Sequence, residues 1–234
     1  MSIKIRVITT NGCLFGKTVR IRGMRIDAAG YPFILGALVL ALFSSWVSFV
    51  AGVALLLLAA FFLFFFRDPD RTTVVDINNV LAPADGRVMV AGHPTGKSPP
   101  GKWKQVSIFL SPIDVHVNRI PYGGKVTHLE YHPGKFLPAY RSNAGDLNEY
   151  TEIWLAREGV TVVMRQIVGV LARRIVCRVK VGDNVQSGDR FGIMKFGSRM
   201  DLFLPHTAKL LVSPKDKVIG GISVLAHLEE HEAK

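Results

Sequence analysis

Residues 179–205, "VKVGDNVQSGDRFGIMKFGSRMDLFLP", decide how the rest of the chain is read. Gly-Asp steps at 182–183 and 188–189 fall between short apolar runs, the pattern of tight turns joining strands. "RMDLFLP" (199–205) reads as a strand, and Gly197-Ser198 stands just before it. Such a pair is ordinarily a hairpin turn. It also places a serine hydroxyl beside an unhindered glycine carbonyl. A serine becomes a nucleophile only with a base near it, so the rest of the chain has to supply one.

The strand pattern extends upstream and downstream. "GRVMVAG" (86–92), "KQVSIFL" (104–110), "GKVTHLEY" (124–131), "EYTEIWLA" (149–156), "VTVVMRQIV" (160–168) and "RRIVCRVK" (173–180) read as strands, as do "AKLLV" (208–212) and "KVIGGISVLA" (217–226). Gly, Pro, Asn and Asp separate them. No long amphipathic helix follows residue 67. The expected fold is mainly β, a barrel or sandwich. "APADGRVMVAG" is faintly similar to "VKVGDNVQSGDRFGI", both resembling the turns of small swapped-hairpin barrels.

A different physics governs Tyr31 to Phe66, which holds no charged residue across 36 positions. A buried soluble helix rarely runs so long without a charge, and a signal peptide is shorter. As one helix it would extend about 54 Å, beyond a bilayer core of about 30 Å. Ser44-Ser45 marks a turn, so a membrane-embedded helical hairpin is expected. Lys4, Arg6, Lys17, Arg20, Arg22 and Arg25 precede it against one acid, Asp27, which puts that flank in the cytoplasm. A hairpin returns the chain to the same side. The expected organisation is a basic arm at 1–30, with Met24 a candidate start, a hairpin at 31–66 and a β-rich domain at 67–234.

Composition narrows the function classes. The 234 residues carry a net charge of +11, with 49% hydrophobic and 20% charged residues. That is a folded composition suited to anionic partners. Cys13 and Cys177 form no disulfide framework. The seven histidines are scattered and no HExxH-type motif occurs, so no metal is expected. No recognition helix or aromatic-studded strand pair supports nucleic acid as a partner.

Three segments could carry chemistry. "LAPADGRV" holds Asp85 before Gly86, ordinarily a turn. "SPIDVHVNRIPYGGKV" places Asp114, His116 and Asn118 on one face of an alternating run. Gly197-Ser198 is the third. Taken together after "FFRDPDR", with "GYPFI" before the apolar run and "DVHVNRIP" and "VGDNVQSGDRFGIMKFGSRMD" at their spacings, they resemble one family: phosphatidylserine decarboxylase, in its short membrane-anchored proenzyme form. The resemblance runs from about Met24 to near the C-terminus.

The resemblance implies self-cleavage between Gly197 and Ser198, giving chains 1–197 and 198–234 that stay together as a heterodimer. Ser198 becomes a covalent pyruvoyl cofactor, the electron sink for decarboxylating phosphatidylserine to phosphatidylethanolamine. Asp85 matches the Asp of the Asp-His pair that activates the serine. His116 matches the first of two histidines and the residue that returns a proton to the product. The second histidine position holds Arg119, which leaves the base open between His116 in both roles, Asp85 without a relay, and His206. The resemblance further implies an anionic lipid surface as partner and a cell-membrane location with the catalytic domain facing the cytoplasm. Arg173, Arg174, Arg178 and Lys180 are candidates for a lipid-facing basic patch, and the loop at 138–146 for headgroup selection.

Two other readings compete. A pyruvoyl decarboxylase of a soluble amino acid derivative would share the chemistry at Ser198 but needs no apolar anchor. A membrane-tethered carrier domain of lipoyl or biotinyl type would use Lys195 at a hairpin tip, and would leave Gly197-Ser198 unexplained.

Overall fold

The computed structural model describes residues 2–8, 14–20, 23–73, 76–170, 175–195 and 197–228, with side chains from residue 23 onward. β1 (Ser2–Ile8) and β2 (Leu14–Arg20) pair with each other, where a weakly patterned arm was expected. β3 (Met24–Ile26) precedes helices α1 (Tyr31–Ser45) and α2 (Phe49–Phe65), and β4 (Arg67–Pro69) follows them. The rest alternates short strands with turns. These are β5 (Asn79–Leu81), β6 (Gly86–Gly92), β7 (Trp103–Leu110), β8 (Val117–Arg119) and β9 (Gly124–His132), then one helical turn, α3 (Ala144–Leu147). β10 (Tyr150–Arg157), β11 (Val160–Ile167), β12 (Ile175–Cys177), β13 (Asn184–Val185) and β14 (Arg190–Met194) follow. β15 (Ser198–Pro205), β16 (Lys209–Leu210), β17 (Lys217–Val218) and β18 (Val224–His227) complete the fold.

The protein is mainly β, as the alternating runs predict, but the sheet does not close into a barrel. An eight-stranded sheet runs β13-β9-β10-β11-β15-β7-β6-β17, with β12-β14-β8 and β16-β18-β5 as smaller sheets. The 173–180 run yields only the short β12 among described residues, and 217–226 is broken by a turn at Gly220-Gly221, with Gly221 at φ +72°. β15 lies inside the large sheet, bonded to β7 on one side and β11 on the other.

Side chains alternate across β15, as a strand requires. Met200, Leu202 and Leu204 join the main apolar core with Val106, Ile108, Leu110, Val162 and Met164. The opposite face carries a buried polar layer. There Arg199 donates from Nε and Nη2 to the two Asp201 carboxylate oxygens at 2.6 and 2.9 Å, and Gln105 and Ser107 complete the network.

The apolar segment is a helical pair, α1 and α2, joined by a short turn at 46–48. Ser48 caps α2 by accepting the Ala51 N–H. The helices measure about 22 and 25 Å from their 15 and 17 residues. Their outward side chains are exposed, Trp46 and Val47 at the tip to 90% and 92%. At the base, β3 pairs antiparallel with β4, Met24 opposite Pro69 and Ile26 opposite Arg67. The chain therefore enters and leaves the helical pair at one end. Ala28–Ser45 is one helix long and apolar enough to cross a membrane.

Candidate active site

The site forms where the small β12-β14-β8 sheet lies over the core face of the large one. β14 ends at Met194 and β15 begins at Ser198, so the Gly-Ser step lies between a strand of the small sheet and one of the large sheet. Ser198 opens β15 opposite Leu110. Its side chain shares the core-facing side with Met200. It is fully buried, and Oγ has no hydrogen-bond partner among the described residues.

Gly197 has φ +76°, a left-handed conformation that an L side chain adopts only under strain. A Cβ placed there would meet nothing nearer than the Leu110 carbonyl at 4.0 Å, so backbone conformation, not space, demands glycine. The Gly197 carbonyl is closely covered from the other side. A Cβ built on Gly169 would fall 2.1 Å from its oxygen. Only glycine at 169 lets the backbone approach the Gly197 carbonyl so closely.

His116 stands just before β8 and is fully buried. Its Nδ1 lies 2.9 Å from the Asp114 carbonyl, and Gly197 N–H points at its Nε2 at 3.3 Å. The two contacts agree on one tautomer: Nδ1–H donates to Asp114 and Nε2 accepts. The ring packs on Phe65, centroids 4.2 Å apart. Burial is the largest influence on its acidity and pushes it down to about 4, against the raising effects of the Asp114 carbonyl and charge and, more weakly, of Asp85. His116 is thus a neutral imidazole whose lone pair accepts the Gly197 N–H, in the peptide bond before the Gly197–Ser198 bond.

Asp85 is held elsewhere. Arg71 grips both its oxygens at 2.6 and 2.9 Å, and Gly220 N–H donates to it at 2.8 Å. It makes no hydrogen bond to His116 or Ser198 and reaches His116 only through its field. Arg119 lies on the other face of β8 from His116. Its Nη2 pairs with Asp68 at 3.1 Å and donates to the Pro69 carbonyl at 3.0 Å, while Nη1 donates to Gly188 at 3.1 Å. Burial lowers its guanidinium to about 10. Arg190 from β14 also pairs with Asp68, and with Asp70 at 2.7 Å. The "FRDPDR" stretch is therefore a strap bonded to the strands that carry the site, and Arg119 is one of its anchors.

The structure brings His116, Gly197 and Ser198 together and leaves other candidates apart. His206 follows the far end of β15, about 26 Å along the strand from Ser198, in a cleft with Trp103 and Lys102. Lys195 lies with Nζ 4.7 Å from the Phe33 ring centre, against α1, not at a free hairpin tip. Arg178 bonds Asp27 at 2.7 Å. Arg173, Arg174 and Cys13 lie outside the described residues. Among the described residues no group of acidic, His and Cys side chains could hold a metal. Sequence reasoning missed Gly169 and Gln166, whose contacts join distant segments with no local signature, and gave Arg71 no role although it closes the "FFRDPDR" motif.

The comparisons with known proteins agree with one another. The family model for phosphatidylserine decarboxylase matches residues 58–226. The phosphatidylserine decarboxylase proenzyme of Chlorobium phaeobacteroides (strain BS1) is 42% identical over 221 residues, covering 92% of this chain and 98% of that protein. The proenzyme of the same name from Prosthecochloris aestuarii (strain DSM 271 / SK 413) is 47% identical over 177 residues, 74% of this chain and 80% of that one. That of Symbiobacterium thermophilum is 41% identical over 207 residues, covering 88% and 96%.

Proposed function

The chain belongs to the phosphatidylserine decarboxylase family, and on that premise we propose that it cuts itself between Gly197 and Ser198 and then decarboxylates phosphatidylserine to phosphatidylethanolamine at a membrane. Its relatives are phosphatidylserine decarboxylase proenzymes by name. The observation that carries the reading is the buried, unbonded Ser198 Oγ beside a left-handed glycine whose N–H meets a neutral, buried imidazole.

Ser198 Oγ adds to the Gly197 carbonyl carbon as His116 Nε2 takes the hydroxyl proton. The Gly197–Ser198 C–N bond breaks, His116 returns the proton to the departing nitrogen, and an ester remains. Removal of the Ser198 Cα proton then breaks Cβ–Oγ, freeing the Gly197 carboxylate and leaving a dehydroalanine. Uptake of one water and release of ammonia give the pyruvoyl group. For His116 to serve as base it must exchange the long Gly197 N–H contact for the hydroxyl. The Asp85 charge favours the imidazolium that this transfer creates.

The site suits a pyruvoyl group, because position 198 is a buried position at the head of a strand fixed on both edges. When present, that group supplies a carbonyl that takes up the substrate amine and the electron pair released as CO2 leaves. On this reading His116 returns a proton to the product. Cleavage would not release 198–234, because β15, β17 and β18 each pair with strands of the larger piece.

A lipid substrate accounts for the exposed helical pair. Exposed large apolar side chains are costly in water, about 1.5–3 kcal/mol for each that burial would recover. The β3–β4 pairing brings both ends of the helical pair together, which supports a membrane hairpin with both flanks on the cytoplasmic side. Ile113 and Val170, near His116 and Gly169 in the chain, are also exposed. A soluble substrate would leave all of this without purpose.

Intact masses of the purified protein and of a Ser198→Ala variant test the reading, together with CO2 release from phosphatidylserine vesicles. Two chains meeting at 197/198, the smaller blocked at its N-terminus by pyruvoyl, with an uncut inactive variant, is the expected result. A single uncut chain that still releases CO2 would overturn it.

A further inference from the structure

Ser198 Oγ has company. Asn118 Nδ2 and Gln166 Oε1 are also buried without a hydrogen-bond partner among the described residues. Both side chains are fully buried, and they bond each other, Gln166 Nε2 donating to Asn118 Oδ1 at 2.8 Å. The pair therefore presents one unused donor group and one unused acceptor to the buried interior, and turning both amides over leaves the same inventory. An unsatisfied buried polar group costs about 1–3 kcal/mol. On the other side of β15 the fold avoids that cost, since Arg199, Asp201, Gln105 and Ser107 bond one another.

The register places this pair beside the scissile bond. Asn118 is two residues beyond His116 on the same side of its strand, about 7 Å along. His116 reaches across to Gly197, and Asn118 reaches across to Gln166. On the large sheet, Gln166 sits opposite Met200 and Ile167 opposite Arg199. Ser198 and Gln166 are thus diagonal neighbours on the same face, about 7–8 Å apart and within reach of a long side chain. Gly192, opposite Asn118, keeps the space between the sheets open: a Cβ there would lie 3.0 Å from Gln166 Nε2. Imidazole and amides form two successive rungs over the same strand.

We propose that the Asn118–Gln166 pair orients Ser198 in the uncut chain, its free N–H holding Oγ at the Gly197 carbonyl while the hydroxyl proton goes to His116. The free carbonyl of the pair suits the amine that the same step releases at residue 198. This inference rests on the self-cleavage reading and assigns that reading's nucleophile its support. It requires no bonded Asp85, and so accounts for a site in which Asp85 is committed to Arg71.

The test is a double variant, Asn118→Leu with Gln166→Met, which keeps volume and removes the unbonded atoms. If the pair is only structural, its loss lowers stability and leaves cutting as fast as folding allows. If it orients the serine, thermal stability in detergent is retained or raised while the appearance of the 198–234 chain slows at least tenfold. Gln166→Met alone, which leaves Asn118 in place, should fall between and guards against a misfolded double variant. Hydroxylamine adds a second readout, because it splits an ester at Gly197. It should not restore cutting if the ester never forms. Wild-type cutting rates in the folded variants, or full rescue by hydroxylamine, would overturn the proposal and leave self-cleavage standing. An uncut wild type, like Ser198→Ala, would instead remove the self-cleavage reading and this inference with it.

Discussion

The two faces of β15 carry polar groups of similar burial and opposite condition. On one face Arg199 and Asp201 are about 1% and 2% exposed and are bonded to each other and to Gln105 and Ser107. On the other, Ser198, Gln166 and Asn118 are equally buried and each keeps an atom unbonded. One strand thus presents a finished network outward and an unfinished one inward. Completed networks hold a fold in one arrangement. Unbonded polar atoms in a dry core are costly unless a reaction uses them. The difference separates framework from chemistry more sharply than burial or residue type does.

The largest effect should come from breaking the finished side. Asp201→Asn leaves the Arg199 guanidinium buried without its counter-charge, and the expected loss is about 3–5 kcal/mol in denaturant unfolding. If the loss were under 1 kcal/mol, the layer would not be the framework described. Next is Gly169→Ala. Its Cβ meets the Gly197 oxygen at 2.1 Å, so the scissile carbonyl must shift. A displacement near 1 Å costs about 10²-fold in rate, and self-cleavage followed by gel should slow by that order while the folded chain persists.

A subtler effect is pH-dependent. The unfolded chain binds a proton at His116 near the ordinary 6.5, the folded chain only near 4. The stability that neutral His116 confers is complete above about pH 6.5 and drains as pH falls toward 4, at up to about 1.4 kcal/mol per unit. Unfolding of the uncut Ser198→Ala chain across that range should show the slope, and the same chain carrying His116→Ala should lose it. Smallest is Arg25→Ala. Its contact with Asp70 at 3.4 Å is exposed, so stability should change by less than about 1 kcal/mol and self-cleavage not at all.

The parts of this arrangement that sequence revealed are those written locally. Alternating runs mark most long strands, and the uncharged stretch marks two helices, but Ser44-Ser45, expected to form their turn, ends α1 and the turn falls at 46–48. His116 and Gly197-Ser198 were singled out as a set through family resemblance, and the fold brings them together. What escaped was set by pairing between distant segments. Gln166 lies in an ordinary strand, and its meeting with Asn118 depends on how two sheets stack. Gly169 gains its role only because 197 folds back over it. Asp85 was matched by motif, but its partner Arg71 lies on a strap whose path no local pattern encodes. Arg119 looked like a lost base and is an anchor of that strap, because residues three apart on a strand face opposite ways.

The contact between Phe65 and His116 has a practical corollary. Phe65 is the last residue of α2, and with Phe66 it joins Val115, Val117 and Ile193 in one buried cluster. The helical pair is therefore not a detachable tether. A chain shortened to begin at Arg67, the natural choice for a water-soluble enzyme, would strip one wall from the imidazole and admit solvent beside it. Solubility and a correctly tuned His116 are, in this architecture, competing engineering goals.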